Sequence, residues 1–256
     1  MNSYSENLKF VKEKILKYVS IIFKVYGSEL LLKLEDYNLL RNPDNCIESS
    51  TATGYIMEEF IVSKLEIFTK EHDGVSDIKI QRRNASSTAK SSYDCCTVYN
   101  GIFIMINIKM QKDGGSNDAV AAINILHNDY VCNNPKQQKA YMVLKTVYSY
   151  NESKKDGERK IIVKDSDAYF LEEIDFSKGY VQDRRNWSKE LNLNSGRLKI
   201  SDKWRVDHLS EQPQISYGNT QSAIDLIFKE NQKKRKKKGK KAKNKKEKKA
   251  NPKIKT

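Results

Sequence analysis

The chain has 256 residues, room for one large domain or two small ones, and its composition (38% hydrophobic, 31% charged) belongs to a globular protein with a substantial core. Its formal charge of +14 is concentrated at one end: residues 233–256 hold 15 Lys/Arg and one acid, Glu247, leaving 32 basic and 32 acidic side chains in a formally neutral body. No apolar run approaches the ~20 residues a spanning helix needs, and "LKFVKEKILKYVSIIFKVYG" is too often interrupted by Lys and Glu to be a secretory signal, so the cytoplasm is the expected location.

Residues 7–34 read as one or two amphipathic helices, with Leu8, Val11, Ile15, Val19 and Ile22 at helical spacing. A polar connection, "LRNPDNCIESSTATG" (40–54), leads into a helix over 53–71 with Thr51 or Thr53 as N-cap. "DIKIQ" reads as a short strand and "RRNASSTAKSS" (82–92) as a loop. Residues 95–98 and 102–110 read as strands joined by Tyr99-Asn100-Gly101, and Asn-Gly between β-rich runs is a strong hairpin signal. After "KDGGSND" a helix is predicted over 117–127, then strands over 140–150 and 159–176, a mixed region over 180–206, and a last helix at "TQSAIDLIFKENQ". Helices before and after a strand-rich centre predict an α/β or α+β fold around a mixed central β-sheet flanked by helices.

The Lys-rich end, "KKRKKKGKKAKNKKEKK" (233–249), has too few apolar residues to pack and repels itself, which predicts a disordered tail (231–256) behind a single folded domain (1–230). Lys233, Lys234, Arg235, Lys236, Lys237 and Lys238 open this segment and would attract phosphate without reading sequence. Cys46, Cys95, Cys96 and Cys132 form no C-x-x-C pair, and adjacent Cys95 and Cys96 would point to opposite faces of a strand. They read as reduced small hydrophobes. His72, His127 and His208 are too far apart for a paired histidine zinc motif.

Period two along 102–110 puts Ile102, Ile104, Ile106, Ile108 and Met110 on one face and Phe103, Met105, Asn107, Lys109 and Gln111 on the other. The second face turns polar at its end, as a strand emerging into a cleft would. Asp94 stands at the start of the preceding strand. An acid, an amide oxygen and an ammonium so placed suit metal-assisted phosphodiester hydrolysis, which needs oxygen ligands for Mg²⁺ and a cation near the attacking water.

"SSYDCCTVYNGIFIMINIKMQ" resembles the catalytic hairpin of the PD-(D/E)XK nucleases, an Asp followed on the next strand by Asp/Glu-x-Lys. Asp94 matches the first acid and Asn107-Ile108-Lys109 the second element, and Gly54-Tyr55-Ile56-Met57-Glu58 matches the helical glutamate that often precedes the hairpin. Glu58 lies at the margin of the apolar arc of its helix and Glu59 at the centre of the polar face, so Glu58 is the preferred carboxylate. "NWSKELNLNSGRLKI" (186–200) also resembles a segment of some bacterial restriction enzymes.

The resemblance implies a restriction-endonuclease-like fold and a type II restriction enzyme: a Mg²⁺-dependent endonuclease cutting double-stranded DNA as a homodimer, paired with a cognate DNA methyltransferase. Asp94, Asn107 and Glu58 would hold the metal and Lys109 would act on the attacking water. The chain departs from the pattern at Asn107, an amide where the family has a carboxylate, which leaves open whether Asp113, Asp118 or Glu58 completes the site. The alternative is a non-catalytic nucleic-acid-binding protein that uses its lysine-rich tail.

Overall fold

The computed structural model describes residues 3–31, 50–71, 77–83, 91–150, 160–178, 180–183, 196–208 and 217–250, with the backbone alone from residue 234 on. Helix α1 (Tyr4–Tyr26) starts at a capping box, in which the Glu6 N–H donates to Ser3 Oγ and the Ser3 N–H to Glu6 Oε2. Its stripe of Leu8, Val11, Ile15, Val19 and Ile22 is buried. The helix stops at Gly27, whose φ of 85° suits glycine alone. Residues 29–31, read from sequence as helix, instead form strand β1 (Glu29–Leu31).

Helix α2 (Ser50–Glu71) begins ahead of both threonines expected to cap it. Thr53 is instead buried one turn in, its hydroxyl accepting from the Tyr150 hydroxyl at 3.0 Å. Of "DIKIQ" only its last residue is strand, in β2 (Gln81–Arg82).

Strands β3 (Cys95–Tyr99) and β4 (Ile102–Lys112) form the expected hairpin. Asn100 and Gly101 both have positive φ (47° and 81°), the combination a two-residue turn of type I′ requires. Strand β6 (Lys139–Tyr150) runs parallel to β4, and β7 (Lys160–Phe170) antiparallel to β6. The six-stranded order is β1-β7-β6-β4-β3-β2, a mixed sheet.

The crossover from β4 to β6 corrects the helix predicted over 117–127. Its first part is strand β5 (Ala119–Ala122), and only Ile123–His127 is helix α3, which runs into a π-helical turn, Asn128–Cys132. Ala119–Ala122 has helical propensity, but it pairs with a distant strand, β9 (Arg197–Lys199), which β8 (Val181–Asp183) joins in a second, three-stranded sheet. Tertiary pairing overrides local preference here. Helices α4 (Asp202–His208) and α5 (Tyr217–Ala250) complete the chain.

The alternation along β4 divides the core in two. Ile102, Ile104, Ile106, Ile108 and Met110 pack with α1 and α2, while Phe103 and Met105 join Tyr141, Val143, Val120, Leu198, Ile224 and Ile227 on the other face. The fold is therefore α/β, a mixed central sheet with helices on both faces.

The Lys-rich segment, predicted from composition to be a disordered tail, continues the backbone of α5 to Ala250. Ile224 and Ile227 already fix the early turns of α5 in the core, so extension needs no new nucleus, and lysine is among the better helix formers. Among the described residues no helix is long and apolar enough to cross a membrane.

Candidate active site

Strand β3 ends before β4 does. The last backbone bond between them runs from the Asp94 N–H to the Ile106 carbonyl at 2.9 Å, and beyond it no described strand pairs with that edge of β4. Unpaired strand N–H groups need acceptors, and two carboxylates supply them. Asp94 Oδ2 accepts from the Ile108 N–H at 2.8 Å, and Glu58, reaching across from α2, takes a hydrogen bond from the Met110 backbone. Asn117 Nδ2 donates to the Met110 carbonyl at 2.8 Å. The open edge of one strand thus brings Asp94 and Glu58 together.

Arg83 secures Asp94 from outside. Its N–H donates to the Asp94 carbonyl at 3.3 Å, and its guanidinium lies 3.5 Å from Asp94 Oδ1 while donating to the Tyr93 carbonyl at 3.1 Å. Glu58 is half-buried, and burial pushes its carboxyl above the ordinary range. The Lys109 ammonium pulls it back and the Asp94 carboxylate raises it further, so the three groups act on one another electrostatically. Lys109 and Lys145 stand level on adjacent strands; among the described residues Lys145 is bound in an ion pair, to Asp202 Oδ1 at 2.6 Å, and Lys109 is not.

Asn107 is buried, and its orientation is fixed by chemistry. Nδ2 donates to the Val120 carbonyl at 2.6 Å and to the Tyr141 hydroxyl at 2.9 Å; that hydroxyl in turn donates to the Ser92 carbonyl. A carbonyl only accepts, so the atom facing Val120 has to be the amide nitrogen. Both amide protons are therefore used, and Oδ1 is the group left to meet a cation. Gln111, next but one after Lys109 on the same face, has a buried Oε1 with no partner among the described residues.

The other acids stand elsewhere. Glu59 is exposed and paired with Arg82. Asp113 is exposed in the turn after β4, and the Asp118 carboxylate faces Lys199 at 3.4 Å. A Cβ added at Gly54 would meet only the Met110 Cβ, at 3.9 Å, so the approach of α2 to β4 does not demand glycine. Lys233 is exposed on α5, and the side chains of Lys234, Arg235, Lys236, Lys237 and Lys238 lie outside the described residues, as does most of 186–200.

Sequence reasoning missed Arg83, Asn117 and Tyr141. Arg83 is indistinguishable in sequence from Arg82, which serves Glu59 and Glu66 instead. Among the described residues no three His, Cys, Asp or Glu side chains are grouped to hold a metal. The donor set is two carboxylates and an amide oxygen. These are hard oxygen ligands, and Mg²⁺ commonly takes only one or two carboxylates with water and phosphate oxygens completing its shell, so the residues fit that ion. Among the described residues the site lies along an open strand edge. A cavity of about 280 Å³ lies at the far end of the same face of β4, lined by Tyr93, Phe103, Asp129, Gln137 and Lys139 among others, and contains none of the four candidate residues.

No family model matches the sequence, and no curated protein matches it. Among solved structures the chain is similar to NlaIV restriction endonuclease, with 11% sequence identity and a TM-score of 0.44 over 88% of this chain and 89% of that one.

Proposed function

We propose that this chain is a Mg²⁺-dependent endonuclease that hydrolyses phosphodiester bonds in double-stranded DNA, a restriction enzyme of type II. The observation that carries the reading is the meeting of Asp94, Glu58 and Lys109 at the unpaired edge of β4, with the Asn107 amide turned so that only its oxygen remains available. Asp94, Glu58 and the Asn107 oxygen would hold the metal, which when bound polarises a phosphate oxygen and acidifies water.

The protein's own groups do the rest. Lys109, which among the described residues has no ion pair like that of its neighbour Lys145, orients the attacking water and stabilises charge gathering on the phosphate. Asp94, fixed by the Ile108 N–H and Arg83, presents a carboxylate whose position does not depend on substrate. An open strand edge suits a duplex backbone better than a closed cavity does. Two copies on a palindromic site would match protein two-fold symmetry to DNA two-fold symmetry, with a methyltransferase protecting the same site in the host.

The test is incubation of supercoiled plasmid with the purified chain and Mg²⁺. Discrete fragments are expected, and Lys109→Ala should slow cleavage by roughly a hundredfold or more while gel-shift affinity stays nearly unchanged. Binding without Mg²⁺-dependent cleavage, lost on removing residues 233–256, would instead identify a non-catalytic nucleic-acid-binding protein.

A further inference from the structure

A second cluster of reactive side chains lies on the other side of the crossover. Helix α3 passes into the π-helical turn Asn128–Cys132, closed by the Asn133 N–H donating to the Asn128 carbonyl at 2.8 Å. In an α-helix residues five apart are turned about 140° from one another. The wider π turn brings Cys132 back over His127, with Sγ 3.5 Å from Nδ1.

The other ring nitrogen, Nε2, lies 3.1 Å from Asp225 Oδ1 on α5. The ring is stacked on Phe228, centroids 3.9 Å apart and planes 10° from parallel. Lys229 and then His127 hold the Asp225 carboxyl below its ordinary range, so it stands as an ionised acceptor. An ionised carboxylate only accepts, so Nε2 of the neutral ring carries the proton and Nδ1 keeps a lone pair facing the thiol. The Lys139 ammonium, buried against the carbonyls of Asp129 and Tyr130, sets a positive charge within electrostatic reach of the sulfur. Cys132 is exposed, whereas Cys95 and Cys96 are buried and burial pushes their thiols up, Cys96 to about 11.

We propose that Cys132 is a base-assisted reactive thiol, a modification site for hydroperoxides, with His127 as general base and Asp225 as the residue that positions it. Nδ1 takes the thiol proton as sulfur attacks one oxygen of hydrogen peroxide. The S–O bond forms, the O–O bond breaks, and the departing hydroxide recovers the proton from the imidazolium and leaves as water. The thiol is oxidised by two electrons to sulfenic acid and the peroxide is reduced. The order of groups is that of a Cys/His/Asp relay, in which the carboxylate sets the tautomer and the ring orientation. Nothing in this assignment depends on the nuclease reading.

The experiment treats the reduced full-length chain with hydrogen peroxide, traps sulfenic acid with dimedone, and follows each cysteine peptide by mass spectrometry. Cys132 is expected to be trapped well ahead of Cys95 and Cys96, and faster than in the guanidinium-unfolded chain. His127→Gln should slow trapping roughly tenfold or more. Asp225→Asn should slow it too and Asp225→Glu restore it, a recovery of rate that simple pinning of α5 to α3 would not require. The Asp225 pair keeps the test valid if His127→Gln does not fold. Equal rates in the folded and unfolded chains, or a Cys132 rate indifferent to Asp225→Asn, would overturn the proposal.

Discussion

The amide at position 107 donates both of its protons, one to the Val120 carbonyl and one to the Tyr141 hydroxyl, and a carboxylate at the same place could donate neither. This is a physical reason for asparagine where the resemblance expects an acid: β5 lays a backbone carbonyl against this side chain. Asn107→Asp should therefore weaken folding, even though it would give the proposed metal site the carboxylate that the resemblance expects. Tyr141 can turn its proton to the new carboxylate only by abandoning the Ser92 carbonyl, and the Val120 carbonyl has no such adjustment. The expected loss at neutral pH is about 1–3 kcal/mol, the scale for stranding a buried polar group, read as a lower urea midpoint at unchanged slope. A variant as stable as the parent would mean that Val120 does not select the amide. The positions of Asn107 and Lys109 on one face were legible from period two, but the partners of the amide were not, because Val120 and Tyr141 reach it through a strand and a crossover that local sequence does not announce.

At the scale of elements, carboxylates stand where strand pairing runs out. Asp94 and Glu58 do this on β4, and Glu172 does it on β6. Pairing of β7 with β6 ends at Phe170 opposite Met142, and the next N–H, that of Tyr141, donates to both Glu172 oxygens at 3.2 and 3.3 Å. Glu172 is also bonded by the Tyr130 hydroxyl, but burial dominates and pushes its carboxyl from 4.5 up to about 8. A folded-state value above the unfolded one means that the native chain binds the proton more tightly. The stability so gained is fully present below about pH 4.5 and is lost as pH rises to about 8. Thermal midpoints should fall across that window, by an amount equivalent to a few kcal/mol at most, and Glu172→Gln, always neutral, should remove that part of the slope. A slope identical in the two proteins would refute the assignment to Glu172. Elements of this kind differ in how readable they were. The hairpin followed from Asn-Gly alone, because its turn is a local backbone requirement. Strand β5 was unreadable, because Ala119–Ala122 becomes a strand only by pairing with β9, almost eighty residues later. The short apolar run of β1 matches either the helical or the strand period, and its pairing with β7 decides for strand.

For the whole molecule the governing feature is the separation of charge from chemistry. A neutral body of 32 basic and 32 acidic residues carries the candidate site, and the +14 surplus follows it in residues 233–256. Helix α5 joins the two: Ile224 and Ile227 anchor it in the core on the face of Phe103 and Met105, and its backbone continues through the lysines to Ala250. The candidate carboxylates arise from α2 and the start of β3, neither of which is part of α5. Affinity and cleavage should therefore come apart on truncation. Deleting 233–256 should weaken DNA binding at moderate salt and flatten the dependence of log K on log salt, by about 0.9 for each phosphate contact removed. If the proposed function holds, Mg²⁺-dependent cutting should survive at low salt and enough enzyme, with the same fragments, since lysines that meet phosphate alone read no bases. Titrations of binding against salt for both lengths, beside a digest at low ionic strength, make the comparison. An unchanged salt slope would place phosphate binding on the neutral body, and loss of cutting with binding intact would give the lysine-rich segment a part in the chemistry.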